Sequence, residues 1–207
     1  MSDAMRIHDD GLSAFPRAET PHRKYTYKEY SSWGENVRCE LMDGIVYMDG
    51  QPAGWHELTV LEIGTQLRNW LEDKTFELHI ELFGMWMFRK PGNDDKSGRI
   101  FVQPDVLVVC DPEKLLDDKA CQGVPDFVVE VVSKGTRGKD FGSKKTLYEK
   151  AGVAEYWIVD NDAVYRYVPV EGEYRETVYE MDEGLELEVG VLPCCRIGFR
   201  RIVKQAL

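Results

Sequence analysis

Two runs of β-branched residues each carry one carboxylate that has no obvious way out to water. The first is Ile100-Phe101-Val102-Gln103-Pro104-Asp105-Val106-Leu107-Val108-Val109, and the second is Asp126-Phe127-Val128-Val129-Glu130-Val131-Val132-Ser133. Near-continuous apolar runs of this kind form strands covered on both faces. An acid inside such a strand is expensive to desolvate, so it needs a partner, a proton or a metal. Asp105 and Glu130 are 25 positions apart, which allows neighbouring strands joined by a hairpin-like connection. Hard divalent cations favour carboxylate oxygens, and Mg²⁺ in particular combines one or two of them with water and substrate phosphate. An ion held there would polarise a phosphodiester and generate hydroxide from water. The plainer alternative is that Asp105 caps a strand end while Glu130 pairs with a lysine.

The rest of the chain supplies a frame for these strands. Its 207 residues suffice for one well-cored domain, read as a single unit over 25–207 behind a polar arm at 1–24. A short helix is expected over 28–33. Residues 38–48 read as a hairpin turning at Asp43-Gly44. A helix follows over 56–73, with Val60, Ile63 and Leu67 at helical spacing. Alternation from Phe76 to Leu82 predicts a half-buried strand reaching toward Phe88. Beyond Glu130 come a helix over 139–150 stopping near Gly152, a buried strand over 155–160, and an antiparallel meander over 164–168, 174–179 and 185–191. The order predicts a mixed α/β or α+β domain.

The helix over 139–150 brings further candidates. Asp140, Lys144 and Tyr148 are spaced i, i+4, i+8 and share a face. If that face looks toward the strand ends, Lys144 neutralises developing phosphate charge or orients the attacking water. Otherwise Asp140–Lys144 is an exposed pair worth about 0.3–0.5 kcal/mol. His56, at the start of the first long helix, reaches a metal or phosphate, or simply caps the helix. Glu40, ahead of the Asp43-Gly44 turn, is either a third carboxylate of the site or a solvated strand residue. The stretch 133–140 is not a Walker loop, which requires glycine where Ser133 stands and Ser or Thr where Asp140 stands.

Charge bears on the partner. A net charge of −11 argues against a general nucleic-acid coat. It is unevenly spread: six basic residues and two acids lie between Lys134 and Lys150, but eight acids and one arginine between Glu171 and Glu188. A basic strip on an acidic body permits a specific polyanionic substrate. No run has transmembrane length, and the first residues lack the apolar core of a signal peptide. The five cysteines have no zinc-ligand or CxxC spacing, so they read as reduced thiols of a cytoplasmic protein.

Taken together, Pro104-Asp105, Glu130-Val131-Val132-Ser133, Asp140…Lys144…Tyr148 and Gly152-Val153-Ala154-Glu155-Tyr156-Trp157-Ile158-Val159-Asp160 give the chain a resemblance to the Uma-type restriction endonuclease family. That family is a branch of the PD-(D/E)xK nuclease superfamily. Glu40-Leu41-Met42-Asp43-Gly44 and His56 match its N-terminal landmarks. The resemblance spans about Tyr25 to Arg200. It implies a restriction-endonuclease-like fold, with a central mixed sheet flanked by helices. It also implies an Mg²⁺- or Mn²⁺-dependent site for cutting DNA, with Asp105 and Glu130 as ligands. The superfamily's lysine would fall two residues after Glu130, where this chain has Val132, and Lys144 is the expected substitute. The alternative is a catalytically inactive protein on a nuclease scaffold that works through binding or assembly, as a homodimer burying apolar parts of the C-terminal meander.

Overall fold

The computed structural model describes residues 23–33, 37–48, 50, 54–81, 83–87, 98–115, 120–133 and 135–205. Most of the expected N-terminal arm, and Leu82 and Phe88, lie outside the described residues. The chain forms two compact units: Met1–Asp49 with Asp94–Phe101, and Gly50–Asn93 with Val102–Leu207.

The smaller unit is organised by a hairpin. Strands β1 (Cys39–Met42) and β2 (Ile45–Met48) pair antiparallel around Asp43-Gly44. Both turn residues have left-handed backbone, φ 49° and 79°, the twist that a two-residue hairpin turn requires. Gly44 is needed for a second reason, because a Cβ there would lie 2.8 Å from Lys24 Cβ. Phe101 returns from much later in the chain to bridge Leu41, with both N–H···O bonds at 2.7 Å. Its ring lies 4.9 Å from those of Tyr27 and Tyr30. These tyrosines bound helix α1 (Tyr27–Tyr30), which begins earlier than expected because Thr26 and Glu29 form a reciprocal capping box.

The larger unit begins with α2 (Gly54–Trp70) and β3 (Glu77–Ile80). β4 (Gly84–Trp86) and β6 (Ala120–Gln122) pair parallel to each other in a separate two-stranded ladder. The main sheet contains β5 (Val106–Val109), β7 (Phe127–Val131), β8 (Glu155–Val159), β9 (Ala163–Val170) and β10 (Glu173–Glu180). Its order is β10-β9-β8-β7-β5-β3, antiparallel throughout except for the parallel pair β7–β8. It is the central mixed sheet that the family resemblance implies. The strand expected to run on toward Phe88 stops at Ile80. Glu81 adopts φ 42° and donates its N–H to the Asp105 carbonyl at 3.0 Å, and β4 then leaves the sheet.

The expected meander is shortened at its end. β11 (Glu186–Glu188) pairs with β12 (Arg196–Gly198) instead of extending the sheet beyond β10. Leu187 and Ile197 from this ladder join the core, as does Ile202 of α4 (Arg200–Gln205). Strand alternation divides β7 by face. Phe127, Val129 and Val131 enter the core shared with Val60, Ile63 and Leu67 of α2, and period two turns Glu130 to the opposite face. That face receives the helix after β7, which starts as a π turn over Lys139–Lys144 and continues as α3 (Lys145–Ala151). Gly152, at φ 84°, ends it in a left-handed cap. No helix among the described residues is long and apolar enough to cross a membrane.

Candidate active site

The register of β5 against β7 builds the site. Val106 stands opposite Val129, so one more step of the antiparallel ladder sets Asp105 opposite Glu130. Pro104 has no N–H to offer a ladder, and Asp105 accordingly sits at the mouth of β5, before the strand begins.

Glu130 is 2 % exposed. Its Oε1 accepts hydrogen bonds from Lys144 Nζ at 2.8 Å and from Tyr148 Oη at 2.6 Å. Lys144 is equally buried and Tyr148 wholly so. The exposed Asp140–Lys144 surface pair offered by the sequence is therefore not what forms. The lysine turns inward to the strand acid instead. Val132 occupies the strand position two residues after Glu130 and is itself buried, so the ammonium beside Glu130 comes from the helix.

Asp105 is held differently. Its Oδ2 accepts the Val131 N–H at 2.6 Å and lies 3.2 Å from His56 Nε2. His56 is buried in the first turn of α2. Burial pulls the imidazole pKa down, but the Asp105 carboxylate, with Glu81 and Asp140 adding to it, more than offsets this, and the net shift is upward. His56 thus contacts a strand acid directly and does more than cap its helix.

Asp140 has the least ordinary environment. It is 1 % exposed, and neither carboxylate oxygen has a hydrogen-bond partner among the described residues. Burial pushes its pKa up to about 6, against the pull of Lys144 and Thr136 and with a further push from Asp105. The π turn fixes its place. Lys145 donates its N–H to the Asp140 carbonyl, an i to i+5 bond, and Tyr156 Oη donates to the same carbonyl at 3.2 Å. Gly142 and Ser143 are weak α-helix formers, and wide turns of this sort recur at functional sites. A ring contact of Tyr148 with Tyr156, centroids 4.9 Å apart, ties the helix to β8.

Two further residues of the basic strip are engaged with their neighbours. Arg137 pairs with Asp160 and lies over the Phe141 ring, while Lys145 lies over Tyr167. Lys134 is outside the described residues. Glu40 belongs to the smaller unit, buried on β1. Glu81 is a site neighbour that the sequence reading passed over. Its backbone holds Asp105 and its charge acts on His56, and the only signal was its position at the end of an alternating run.

Among the described residues no three His, Cys, Asp or Glu side chains are grouped as a ready-made metal cage. The arrangement fits a cation that needs fewer protein ligands. Asp105 keeps a side-chain exposure of 19 %, and the Asp140 oxygens lack protein donors. Mg²⁺ commonly takes one or two carboxylates and completes its shell with water and phosphate.

Comparison with known proteins agrees with the fold. A family model described as "Putative restriction endonuclease", Uma2, matches residues 27–193. A crystal structure described as a putative nuclease belonging to DUF820, from Anabaena variabilis ATCC 29413, is similar with a TM-score of 0.70. The two share 15% sequence identity, over 88% of this chain and 99% of that one. No curated protein matches the chain.

Proposed function

This chain belongs to the Uma2 family of restriction-endonuclease-like proteins, and from that premise we propose that it is a divalent-cation-dependent nuclease hydrolysing the phosphodiester bonds of DNA. The observation that carries this reading is the buried contact of Glu130 with Lys144 and Tyr148, set across the ladder from Asp105. Asp105 and Glu130 would hold Mg²⁺ or Mn²⁺, which when bound supplies Lewis acidity toward the phosphate and acidifies an attacking water. Lys144 provides positive charge where the phosphate becomes more negative, or orients the water for in-line attack. Tyr148 fixes the Glu130 carboxylate through its hydroxyl. His56 and the Val131 N–H aim the Asp105 carboxylate. Five free cysteines fit a reducing, cytoplasmic setting.

The test is cleavage of plasmid and of linear DNA with Mg²⁺ or Mn²⁺. Asp105→Ala, Glu130→Ala and Lys144→Ala should each abolish it while circular dichroism reports a folded protein. Retained cleavage by the Asp105 variant, in a preparation free of contaminating nuclease, would sink the proposal. Val132, in the place of the superfamily's lysine, favours a second reading: a catalytically inactive homodimer acting through binding or assembly. That reading expects no metal-dependent turnover and a dimer in sedimentation.

A further inference from the structure

We infer that Asp140 is a cation-holding carboxylate, sharing a divalent ion with Asp105 at the mouth of β5. The inference rests on the nuclease reading only for the presence of a cation.

An ionised carboxylate with no hydrogen-bond donor is among the costliest groups a protein can bury. Asp140 comes close to that case: at 1 % exposure neither oxygen has a well-formed hydrogen bond, and the pull of nearby Thr136, Lys144 and Lys139 leaves burial dominant. Its placement is specific. Lys144 and Tyr148 both land on Glu130, and Asp140 precedes them by one turn on the same face of the helix. Asp140 lies close enough to Asp105 and His56 for its charge to act on both, Asp105 raising its pKa and Asp140 raising that of His56. Two bonds to the Asp140 carbonyl, from Lys145 N–H and Tyr156 Oη, hold the backbone there. An unconstrained helix would let the carboxylate swing to water. This one keeps it inside.

The local charge is also unbalanced. Asp105, Asp140, Glu130 and Glu81 contribute four carboxylates. Lys144 hydrogen-bonds Glu130 and His56 pairs with Asp105, and the pull of Lys144, Thr136 and Lys139 on Asp140 does not offset the cost of its burial. A hard divalent cation taking one oxygen from Asp105 and one from Asp140 would supply what the protein omits, and carboxylate-only ligation selects Mg²⁺ or Mn²⁺ over softer metals. A carboxyl kept there only as a buried, protonated group would have no effect on metal affinity, so the two accounts separate.

The experiment is Mn²⁺ binding to the full chain by calorimetry and electron paramagnetic resonance, at pH 7.5, with and without inorganic phosphate. Wild type, Asp105→Asn and Asp140→Asn are compared, with melting in EDTA as the check on folding. Asp140→Ser replaces the asparagine variant if that does not fold. The expected result is at least tenfold weaker Mn²⁺ binding in the Asp140 variant, with melting in EDTA unchanged or raised and the metal-induced rise in melting temperature reduced. A smaller loss in the Asp140 variant, with binding still abolished in Asp105→Asn, overturns the inference and leaves the nuclease proposal standing. Absence of Mn²⁺ binding by wild type, even with phosphate, overturns both.

Discussion

Replacing Lys144 by methionine isolates the electrostatic part of the Glu130 contact, because methionine fills much of the volume of the lysine stem and removes only the charged end. In the native protein the Lys144 and Glu130 side chains are 3 % and 2 % exposed and joined at 2.8 Å. Removing one member of a buried pair leaves the other's desolvation uncompensated, which costs about 3–5 kcal/mol. For a domain whose whole stability is about 5–15 kcal/mol, that is a large share. At about 2–4 °C per kcal/mol for a chain of this size, melting falls by roughly 6–20 °C. Glu130→Gln in the Lys144→Met background should recover most of the loss, since a neutral amide no longer carries the desolvation penalty of a carboxylate and still accepts from Tyr148. Urea unfolding followed by tryptophan fluorescence in EDTA measures both, with the slope against urea expected to stay constant. A Lys144→Met variant within about 1 kcal/mol of wild type, or a double variant no better than the single, would refute the argument, because the pair would then not be a desolvated one.

Asp140 gives a pH signature with a definite sign. Its folded pKa is raised from 3.8 to about 6, so the folded state binds more protons between those values and stability declines as pH rises through them. The shift corresponds to about 3 kcal/mol of destabilisation once the group is ionised. In EDTA, Asp140→Asn should therefore match wild type near pH 4 and exceed it by about 3 kcal/mol at pH 7.5. A gain equal at both pH values contradicts the assignment. At the other end of the helix, Gly152→Ala forces a side chain into left-handed backbone with nothing crowding it. It should cost about 1–2 kcal/mol in the same urea assay, and a neutral result would show that the cap relaxes.

What the sequence made legible was whatever a local pattern controls. Asp43-Gly44 specified its hairpin because few other residues accept that turn. Val60, Ile63 and Leu67 marked α2 by spacing, and β-branched runs marked β5, β7 and β8. Asp105 and Glu130 stood out because acids are rare in such runs. What escaped was set by tertiary geometry. The end of β3 depends on the left-handed Glu81 and its bond to the Asp105 carbonyl, neither of which has a local signature. The parallel β4–β6 ladder joins segments more than thirty residues apart. Asp140, Lys144 and Tyr148 were visible as a row, but only the π turn decides that the row faces inward. The exposed face of α2 and the core-facing residues obey the same period, so pattern alone could not say which charged residue of the following helix would be buried.

The bridge between Leu41 and Phe101 has a bearing on how the chain is made. Phe101 follows Leu41 by 60 residues, and a ribosome adding about 5–20 residues per second delivers it roughly 3–12 s later. Throughout that interval the nascent hairpin exposes the Leu41 edge of β1, with its N–H and C=O unclaimed, while α2 and β3 emerge behind it. A bare strand edge is a template for pairing with another chain. Premature termination anywhere between the hairpin and residue 101 would release a fragment with that edge permanently open, so shortened products should be far more prone to aggregate than the finished protein.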